Sequence, residues 1–569
     1  MNARTRRTAR STARSTTHRM AALTTAGTLA VAALTGCSVA QGSTATSGTG
    51  TGTGTENTSV ASSVGQTAQE VLDANLAYSE TAALADETWD AADEVAVTLS
   101  GDSATAGGDG VTVDGSTVTI TAPGTYRLSG TLDDGQVVVA STADGVVRLV
   151  LDGADVTSTT GAAIDVQDAD QVAVVLADGS TNRLEDATTY ADTTSENAAN
   201  AALYSTADMA ISGTGALEVV GNADDGITGK DGLVVAAGDI TVTAADDAVR
   251  GKDYLVVTGG TLSLEAGGDG LRSDADDDAT AGYVALLGGE ATVQAGSDGV
   301  QGFTDVAVVD GTLTVTGSEE GVEAAVIAVS GGTVDVTATD DAFNATVKEA
   351  EESTDGSTTD ASTDTSDDAA ADTGQGPGGG GGDMSAQEGA SLTITGGSVH
   401  AVAGADALDS NGVVEVSGGT SLLEVPAGSG GGEGAIDANG TVTVSGGTVL
   451  ATGNAATGQV TGSAWVGTTL DGTVAAGSSV TLVADDGTEL ATFALTQDAA
   501  SIAFTSPDVT SGATYTVQAD GQTLASAAAE DGLSGGMGGG MGGGGRPGQA
   551  PGTGTDTDTD TGTTAGTSA

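Results

Sequence analysis

The chain has 569 residues but only one cysteine and two histidines, and its aromatic residues make up 2%. A single cysteine excludes disulfide bonds and thiolate metal sites within the chain. So few aromatic residues do not suit a conventional core packed around large side chains. His18 lies in the N-terminal segment, which leaves His400 as the one other histidine. Ser-His-Asp triads and histidine metal sites therefore have little support.

Basic residues are also scarce. Lys and Arg number 15 against 79 Asp and Glu, and the formal net charge is −64. Such a surface repels nucleic acid and acidic membranes and attracts cations. We therefore expect no nucleic-acid partner.

The N-terminal segment has the pattern of a bacterial lipoprotein signal peptide over residues 1–36. Six arginines between Arg4 and Arg19 precede the apolar stretch Ala21–Leu34, and Leu34-Thr35-Gly36-Cys37 follows. That tetrapeptide looks like a lipobox, in which Cys37 is acylated and becomes the new N-terminus. The alternative is an ordinary signal peptide with an accidental cysteine. We expect a monomer on the extracellular face of the bacterial cytoplasmic membrane, in contact with the membrane only through its lipid.

A short acidic motif recurs through the middle of the chain. The motif has four positions: one or two acidic residues, then Gly or Ala, then an apolar residue. It occurs at 224–227, 246–249, 268–271, 297–300, 319–322 and 340–343. The second positions lie 22, 22, 29, 22 and 21 residues apart. A period of this size, carried by short alternating apolar segments, predicts a solenoid of stacked β coils with two or three strands per coil.

Composition divides the rest of the chain. After acylated Cys37 we expect a flexible tether and a short helical stretch to residue 94, N-terminal β coils at 95–202 and the main coils with the acidic motif at 203–348. A disordered acidic and Gly-rich insertion follows at 349–388, further coils at 389–458, a C-terminal β cap at 459–531 and a disordered tail at 532–569.

The repeated carboxylates indicate a cation. Stacked coils are about 4.8 Å apart, and like charges at that spacing are destabilising. We expect the side chains of Asp224, Asp225, Asp246, Asp247 and Asp269 to converge and to bind calcium, which takes about six to eight oxygen ligands. The alternative is that these residues only form turns. Asp274, Asp276 and Asp278 form a second candidate calcium loop, which is not an EF-hand because Ala279 stands where Gly is required.

Four basic residues lie beside these acids: Lys230, Arg250, Lys252 and Arg272. They either neutralise neighbouring Asp residues or bind an anionic sugar, whose carboxylate would sit between calcium and a Lys or Arg.

Three segments resemble a family of bacterial surface proteins, the carbohydrate-binding domain-containing proteins: AALYSTADMAISGTGALEVVGNADDGITGKDGLVV, DDAVRGKDYLVVTGGTLSLEAGGDGLRSDADDDATAGYVALLGG and SDGVQGFTDVAVVDGTLTVTG. The resemblance implies an extracellular right-handed parallel β-helix with bound calcium, similar in shape to pectate lyases. It also implies binding of polysaccharide, with acidic plant or cell-wall polymers such as polygalacturonate as the ligand class. The family motif falls on Asp224, Asp225, Lys230, Asp246, Asp247, Lys252, Asp269 and Asp274, whereas Gly302-Phe303-Thr304 departs from it.

Three functions remain open. The chain is a calcium-dependent polysaccharide-binding lipoprotein, a polysaccharide lyase with Lys230 or Lys252 as base, or a structural surface stalk. The first is our main interpretation, with no catalytic residue assigned.

Overall fold

The computed structural model describes residues 65–195, 197–348, 385–426 and 434–534. Cys37, the tether up to residue 64, and nearly all of the expected acidic insertion and C-terminal tail lie outside these ranges. Within them, no helix is both long and apolar enough to cross a membrane.

A short helical segment precedes the first strand. It contains the α-helices α1 (Ala68–Ala74) and α2 (Ser79–Ala82) and the 3-10 helices Ala83–Ala85 and Ala91–Asp93. Helix α1 begins with a capping box, in which the Thr67 hydroxyl accepts from the Glu70 amide and the Glu70 carboxylate accepts from the Thr67 amide. We call residues 65–93 the strap.

Ten strands form the N-terminal part of the solenoid. They are β1 (Glu94–Gly101), β2 (Ser103–Ala106), β3 (Val111–Asp114), β4 (Thr117–Ile120), β5 (Gly124–Leu132), β6 (Gln136–Ala140), β7 (Val146–Thr157), β8 (Ile164–Asp168), β9 (Gln171–Leu176) and β10 (Thr181–Glu185).

The repeating coils then follow, most of them with three strands. The strands are β11 (Ala201–Ser205), β12 (Met209–Gly213), β13 (Ala216–Gly221), β14 (Asp225–Gly229), β15 (Gly232–Val235), β16 (Asp239–Ala244), β17 (Val249–Gly251), β18 (Tyr254–Val257), β19 (Thr261–Ala266), β20 (Leu271–Ser273), β21 (Tyr283–Leu286), β22 (Glu290–Gln294), β23 (Val300–Gly302), β24 (Asp305–Val308), β25 (Thr312–Gly317), β26 (Val322–Ala324), β27 (Val326–Val329), β28 (Thr333–Thr337), β29 (Phe343–Ala345), β30 (Ser391–Ile394), β31 (Ser398–Val402), β32 (Asp409–Ser410), β33 (Val413–Val416), β34 (Thr420–Glu424), β35 (Val442–Val444) and β36 (Thr448–Thr452).

Each coil adds one strand to each of three stacks, and its strands pair in parallel with those of the coils before and after it. A 12-stranded sheet, which we call the ladder sheet, runs β3-β4-β6-β8-β11-β14-β17-β20-β23-β26-β29-β32. The other two stacks belong to a 27-stranded sheet: the first column contains β9, β12, β15, β18, β21, β24, β27, β30, β33 and β35, and the second column contains β10, β13, β16, β19, β22, β25, β28, β31, β34 and β36. The predicted parallel β solenoid is thereby confirmed.

The core is a stack of alternate aliphatic side chains. In β16, Ile240 and Val242 are buried between exposed Asp239, Thr241 and Thr243. The next coil places Leu262 and Leu264 on the same rungs. Each fully buried side chain of this kind contributes about 1.5–3 kcal/mol, so the stack replaces an aromatic core.

Glycine pairs make the corner before the second column. Gly260 has a φ of +91°, and a Cβ on Gly259 would lie 2.5 Å from the Ala236 carbonyl oxygen of the preceding coil. Such corners therefore need one residue with left-handed backbone and one without a side chain.

Seven strands close the C-terminal end: β37 (Gln459–Val474), β38 (Ser479–Ala484), β39 (Glu489–Ala494), β40 (Ala499–Thr505), β41 (Thr514–Ala519), β42 (Gln522–Ala528) and β43 (Glu530–Ser534). Strands β39-β38-β41-β42 form an antiparallel sheet, and β40 pairs antiparallel with β36 and β37 at the end of the solenoid. The last strand extends to Ser534, three residues beyond the expected end of the cap at residue 531.

Candidate metal groups and ligand face

Three rows of side chains run along the ladder sheet, parallel to the solenoid axis. The acidic row contains the second motif positions, Asp225, Asp247, Asp269, Asp298, Glu320, Asp341 and Asp406. The middle row lies three residues further on and contains Thr228, Arg250, Arg272, Gln301, Glu323, Asn344 and Asp409, which pair in register from strand to strand. The third row begins with Lys230 and Lys252, which follow the paired residues Gly229 and Gly251, and continues with Asp274.

Carboxylates of the acidic row bond to the backbone of the next coil. The Asp269 amide donates to Asp247 Oδ1 at 2.9 Å, the Asp298 amide to Asp269 Oδ1 at 2.9 Å, and the Asp406 amide to Asp341 Oδ1 at 2.8 Å. Hydrogen bonds to charged groups stabilise by about 1.5–3 kcal/mol. One oxygen each of Asp247, Asp269 and Asp341 therefore has a structural role, which favours the turn interpretation for these oxygens.

The other oxygen of each of these carboxylates carries negative charge that must be compensated. In the coils that contain Asp247 and Asp269, an arginine side chain compensates it. Arg272 Nη1 lies 3.3 Å from Oδ2 of both Asp247 and Asp269. Burial nevertheless raises the pKa of Asp247 well above its usual value, together with the charges of its neighbours and against Arg272.

Arg250 is shared between two coils. Its Nε lies 3.3 Å from Asp274 Oδ1, its Nη2 contacts Asp274 Oδ2, and its Nη1 lies 3.8 Å from Asp225 Oδ2. Burial disfavours the charge of Asp274, but Arg250 outweighs this effect, so the pKa of Asp274 lies below its usual value.

Among the described residues, three groups of carboxylates lie close together, and each contains or adjoins a middle-row residue that is not arginine: Thr228, Glu323 or Asp409. In each, one oxygen per residue lies within 4.8 Å of the others, which is close enough to share a metal ion. The first metal group is Asp224, Asp225 and Asp246, the second is Asp298, Glu320 and Glu323, and the third is Asp406, Asp409 and Asp437.

The first metal group has the donor set of a hard cation. Thr228 Oγ1 and Asn200 Nδ2 donate to Asp225 Oδ2 at 2.7 and 2.8 Å. The Asn200 Oδ1 atom is buried without a hydrogen-bond donor, and amide oxygens are calcium ligands. Burial and the charges of Asp225 and Asp246 raise the pKa of Asp224 to about 7, and burial raises that of Asp225 to about 6. A bound cation would remove this repulsion, so the group fits a metal.

The second and third metal groups share that electrostatic pattern. Burial raises the pKa of Asp298 to about 9 and that of Glu320 to about 8, with repulsion from neighbouring carboxylates. Asn344 Nδ2 donates to both Glu320 oxygens at 2.9 Å, and Lys348 Nζ lies 2.6 Å from Glu323. In the third group, burial and Asp341 raise the pKa of Asp406 to about 8.

The two lysines of the third row have no carboxylate within ion-pair distance among the described residues. Burial lowers the pKa of Lys230, and the charges of Arg250 and Lys252 lower it further. The neutralising role that the sequence left open for the basic residues thus falls to Arg250 and Arg272, and not to Lys230 or Lys252.

The expected ligand residues do not form one site. Asp247 and Asp269 face Arg272, and Asp274 faces Arg250. Asp278 accepts hydrogen bonds from the Thr280 amide and hydroxyl at 2.9 and 2.8 Å, as a turn residue does, and Asp276 is half-buried in the same loop. The expected convergence therefore holds for Asp224, Asp225 and Asp246 alone.

The other two metal groups lie beyond the stretch Asp224–Asp278 that the sequence indicated. The sequence feature that could have indicated them is an acidic residue three positions after the second acidic position of the motif, as in Glu320-Gly-Val-Glu323 and Asp406-Ala-Leu-Asp409. Arg250 and Arg272 stand at this position in their coils.

Residues 114–346 match the sequence model of the carbohydrate-binding domain-containing protein family. A carbohydrate-binding domain-containing protein of Acetivibrio thermocellus is 41% identical over 126 residues, which are 22% of this chain and 44% of that protein. The chain therefore matches less than half the length of this relative. The two matches confirm the family resemblance. The matched residues 114–346 include the first two metal groups and both lysines.

A solved structure, that of the polysaccharide lyase-like protein from C. thermocellum in a gadolinium derivative, is 31% identical. The alignment covers 43% of this chain and 97% of that chain, with a TM-score of 0.39.

Proposed function

We propose that this protein binds carbohydrate along the ladder sheet, and that calcium at Asp224, Asp225 and Asp246 takes part in the binding. The family match and the name of the Acetivibrio relative support carbohydrate binding in general. The calcium dependence and the ligand class are the finer parts of the proposal.

One observation supports them above all others. The first metal group lies on the same sheet as the two lysine ammonium groups, which have no carboxylate within ion-pair distance among the described residues. Asp225 and Arg250 both affect the pKa of Lys230, which places the lysine within electrostatic reach of the first metal group. Few other surfaces of so acidic a chain would accept an anion.

This arrangement favours an acidic polysaccharide. Calcium prefers carboxylate and amide oxygens, and here Asp224, Asp225, Asp246 and Asn200 Oδ1 would hold it. Bound there, the ion would supply positive charge for a uronate carboxylate. Lys230 and Lys252 lie on neighbouring rungs about 4.8 Å apart, so both could bind carboxylates of one polymer chain, with Arg250 beside them. Polygalacturonate and other wall polymers are the ligands to test.

We also propose that the protein is a lipoprotein of the cell surface. The basic and apolar segments before Cys37 support this location. A surface protein with a polysaccharide ligand would hold wall polymer or plant polymer near the cell.

Titration of the mature protein with polygalacturonate, with and without calcium, tests the main proposal. We expect binding that requires calcium and that weakens at least tenfold in both Lys230→Ala and Lys252→Ala. Arg183→Ala is the matched control, because Arg183 pairs with Glu185 and Glu218 on the second column. Binding that is equally strong in chelator would contradict the role of calcium. An absence of binding under all conditions would leave the structural stalk.

A lyase is the second candidate, and the lowered pKa of Lys230 favours it. A lowered pKa makes a lysine lose its proton more readily, and the neutral amine can remove the proton α to a uronate carboxylate. The ultraviolet absorbance of the unsaturated product measures this reaction. Product formation that disappears in Lys230→Ala and persists in Lys252→Ala would assign the base, and binding without any product would exclude this reaction.

A further inference from the structure

The strap covers an apolar column on the outside of the solenoid. Seven small side chains lie in register on successive strands of the first column: Ala173, Ala210, Val234, Val256, Ala285, Ala307 and Ala328. Val71, Leu72 and Leu84 of the strap are buried against this column. At about 4.8 Å per coil the covered length is about 29 Å.

Hydrogen bonds fix the position of the strap along that length. The Ala68 amide donates to Ser330 Oγ at 2.7 Å, Asn75 Nδ2 donates to Asp305 Oδ2 at 2.7 Å, and the Thr81 hydroxyl bonds to the Tyr254 hydroxyl at 2.6 Å. Strap residues further along the chain therefore contact progressively earlier coils.

In its middle, the strap holds the acidic loop 274–282 that the sequence singled out. The Leu76 amide donates to the Thr280 carbonyl at 2.7 Å, and the Tyr283 hydroxyl donates to the Leu76 carbonyl at 2.7 Å. The backbone of one strap residue, Leu76, thus bonds the end of the loop and the residue that follows the loop. The coils bond this end as well: the Gly282 amide donates to the Asp253 carbonyl, and the Thr304 amide and hydroxyl donate to the carbonyls of Gly282 and Ala281.

The beginning of the same loop reaches the ligand face. Asp274 is its first residue and pairs with Arg250, whose Nη1 lies only 3.8 Å from Asp225 of the first metal group. We propose that the strap is a positioning element: the Leu76 backbone holds the end of the acidic loop, and the loop holds Asp274 in its pair with Arg250, so that Arg250 comes no closer to Asp225 than 3.8 Å. When the strap loosens, Arg250 moves towards Asp225 and competes with the cation.

The expected effect of the strap on calcium binding rests on the proposed function. The expected effect of the strap on the position of the acidic loop does not. Tyr254 and Tyr283 are buried, stacked at 5.5 Å, and each bonds the strap through its hydroxyl. Tyr283 bonds Leu76, whereas Tyr254 bonds Thr81, which has no contact with the loop among the hydrogen bonds of the described residues. Tyr283→Phe and Tyr254→Phe are therefore a matched pair that removes one strap bond each.

Hydrogen–deuterium exchange of residues 274–282 in the mature protein is the first measurement. We expect Tyr283→Phe to speed this exchange by about fivefold, the factor for one net hydrogen bond, and Tyr254→Phe to leave it unchanged. Calcium titration of the same two variants is the second measurement. There Tyr283→Phe should bind calcium several-fold more weakly than Tyr254→Phe, at a similar loss of thermal stability.

Unchanged loop exchange in Tyr283→Phe, or an equal change in Tyr254→Phe, would overturn the inference. So would faster exchange with unaltered calcium affinity, since the strap would then not act on the metal group. If the unaltered protein binds no calcium while Tyr283→Phe still speeds the loop, the proposed function fails and the strap still positions the loop. If Tyr283→Phe does not fold, Leu72→Ala is the replacement variant. Leu84→Ala is then the control, because Leu84 lies on the other side of Leu76 along the strap.

Discussion

Asp224→Asn should stabilise the protein in chelator and lose that advantage in calcium. The substitution keeps the shape of the side chain and removes one of three mutually repelling carboxylates of the first metal group. Burial, Asp225 and Asp246 raise the pKa of Asp224 to about 7. The Asp224 carboxylate therefore binds its proton more tightly in the folded protein than in the unfolded chain. Its stability falls as pH rises from about 4 to about 7, and the full cost is present at pH 8.

The expected size follows from that shift. About three pKa units correspond to about 4 kcal/mol, and solvent screening at this half-buried group, together with the sharing of repulsion with Asp225, reduces it to about 2 kcal/mol. Calcium at 100 times its dissociation constant would add about 2.7 kcal/mol to the unaltered protein. If the variant binds calcium about 100-fold more weakly, the same calcium concentration adds only about 0.4 kcal/mol to its free energy of unfolding. This difference cancels the advantage that the variant has in chelator.

Urea unfolding at pH 8, followed by circular dichroism in chelator and in calcium, measures both free energies of unfolding. Asp239→Asn is the control, because Asp239 is an exposed residue of the second column and should change little in either condition. A variant that is less stable than the unaltered protein in chelator would refute the repulsion argument. An advantage that persists undiminished in calcium would refute the metal assignment.

Other predictions concern the arginine coils and the C-terminal end. Arg272→Gln leaves Asp247 and Asp269 without their cation and should cost about 3 kcal/mol in chelator, with calcium restoring part of it; urea unfolding with no calcium response would contradict this. His400 lies between Asp335 and Glu424 at 2.9 Å each. Burial lowers its pKa, but these carboxylates raise it overall, so its contribution is full below about pH 6 and fades as pH rises through the raised pKa. His400→Gln should abolish this pH-dependent part, as measured by thermal unfolding between pH 5 and 9.

The repeat carried enough information to predict the solenoid, because the 22-residue step and the alternating apolar residues both follow from one coil geometry. It also placed Asp224, Asp225 and Asp246 together. The pairing of Arg272 with Asp247 and Asp269 was within reach of the same reasoning, since stacking in register sets a residue three positions on beside two successive carboxylates.

The strap was not predictable in this way. Helical spacing around Val71 and Leu72 indicates a helix, and α1 is present there, but nothing in the spacing states which surface it covers. Its contacts join residue 68 to residue 330 and residue 76 to residue 280. Contacts over such separations depend on the assembled first column and not on any local pattern.

The middle row explains why the metal groups occur where they do. Every coil brings another carboxylate to about 4.8 Å from the last, so every coil needs a positive charge. Arginine provides that charge at Arg250 and Arg272, within the chain itself. Thr228, Glu323 and Asp409 stand at the same position without a positive charge, and each of the three metal groups of the described residues contains or adjoins one of them. Protein cations reach two of these groups only from elsewhere, Arg250 at 3.8 Å from Asp225 and Lys348 at 2.6 Å from Glu323. The identity of one residue per coil therefore determines whether a coil has an arginine beside its carboxylates or a carboxylate group that could hold a metal ion.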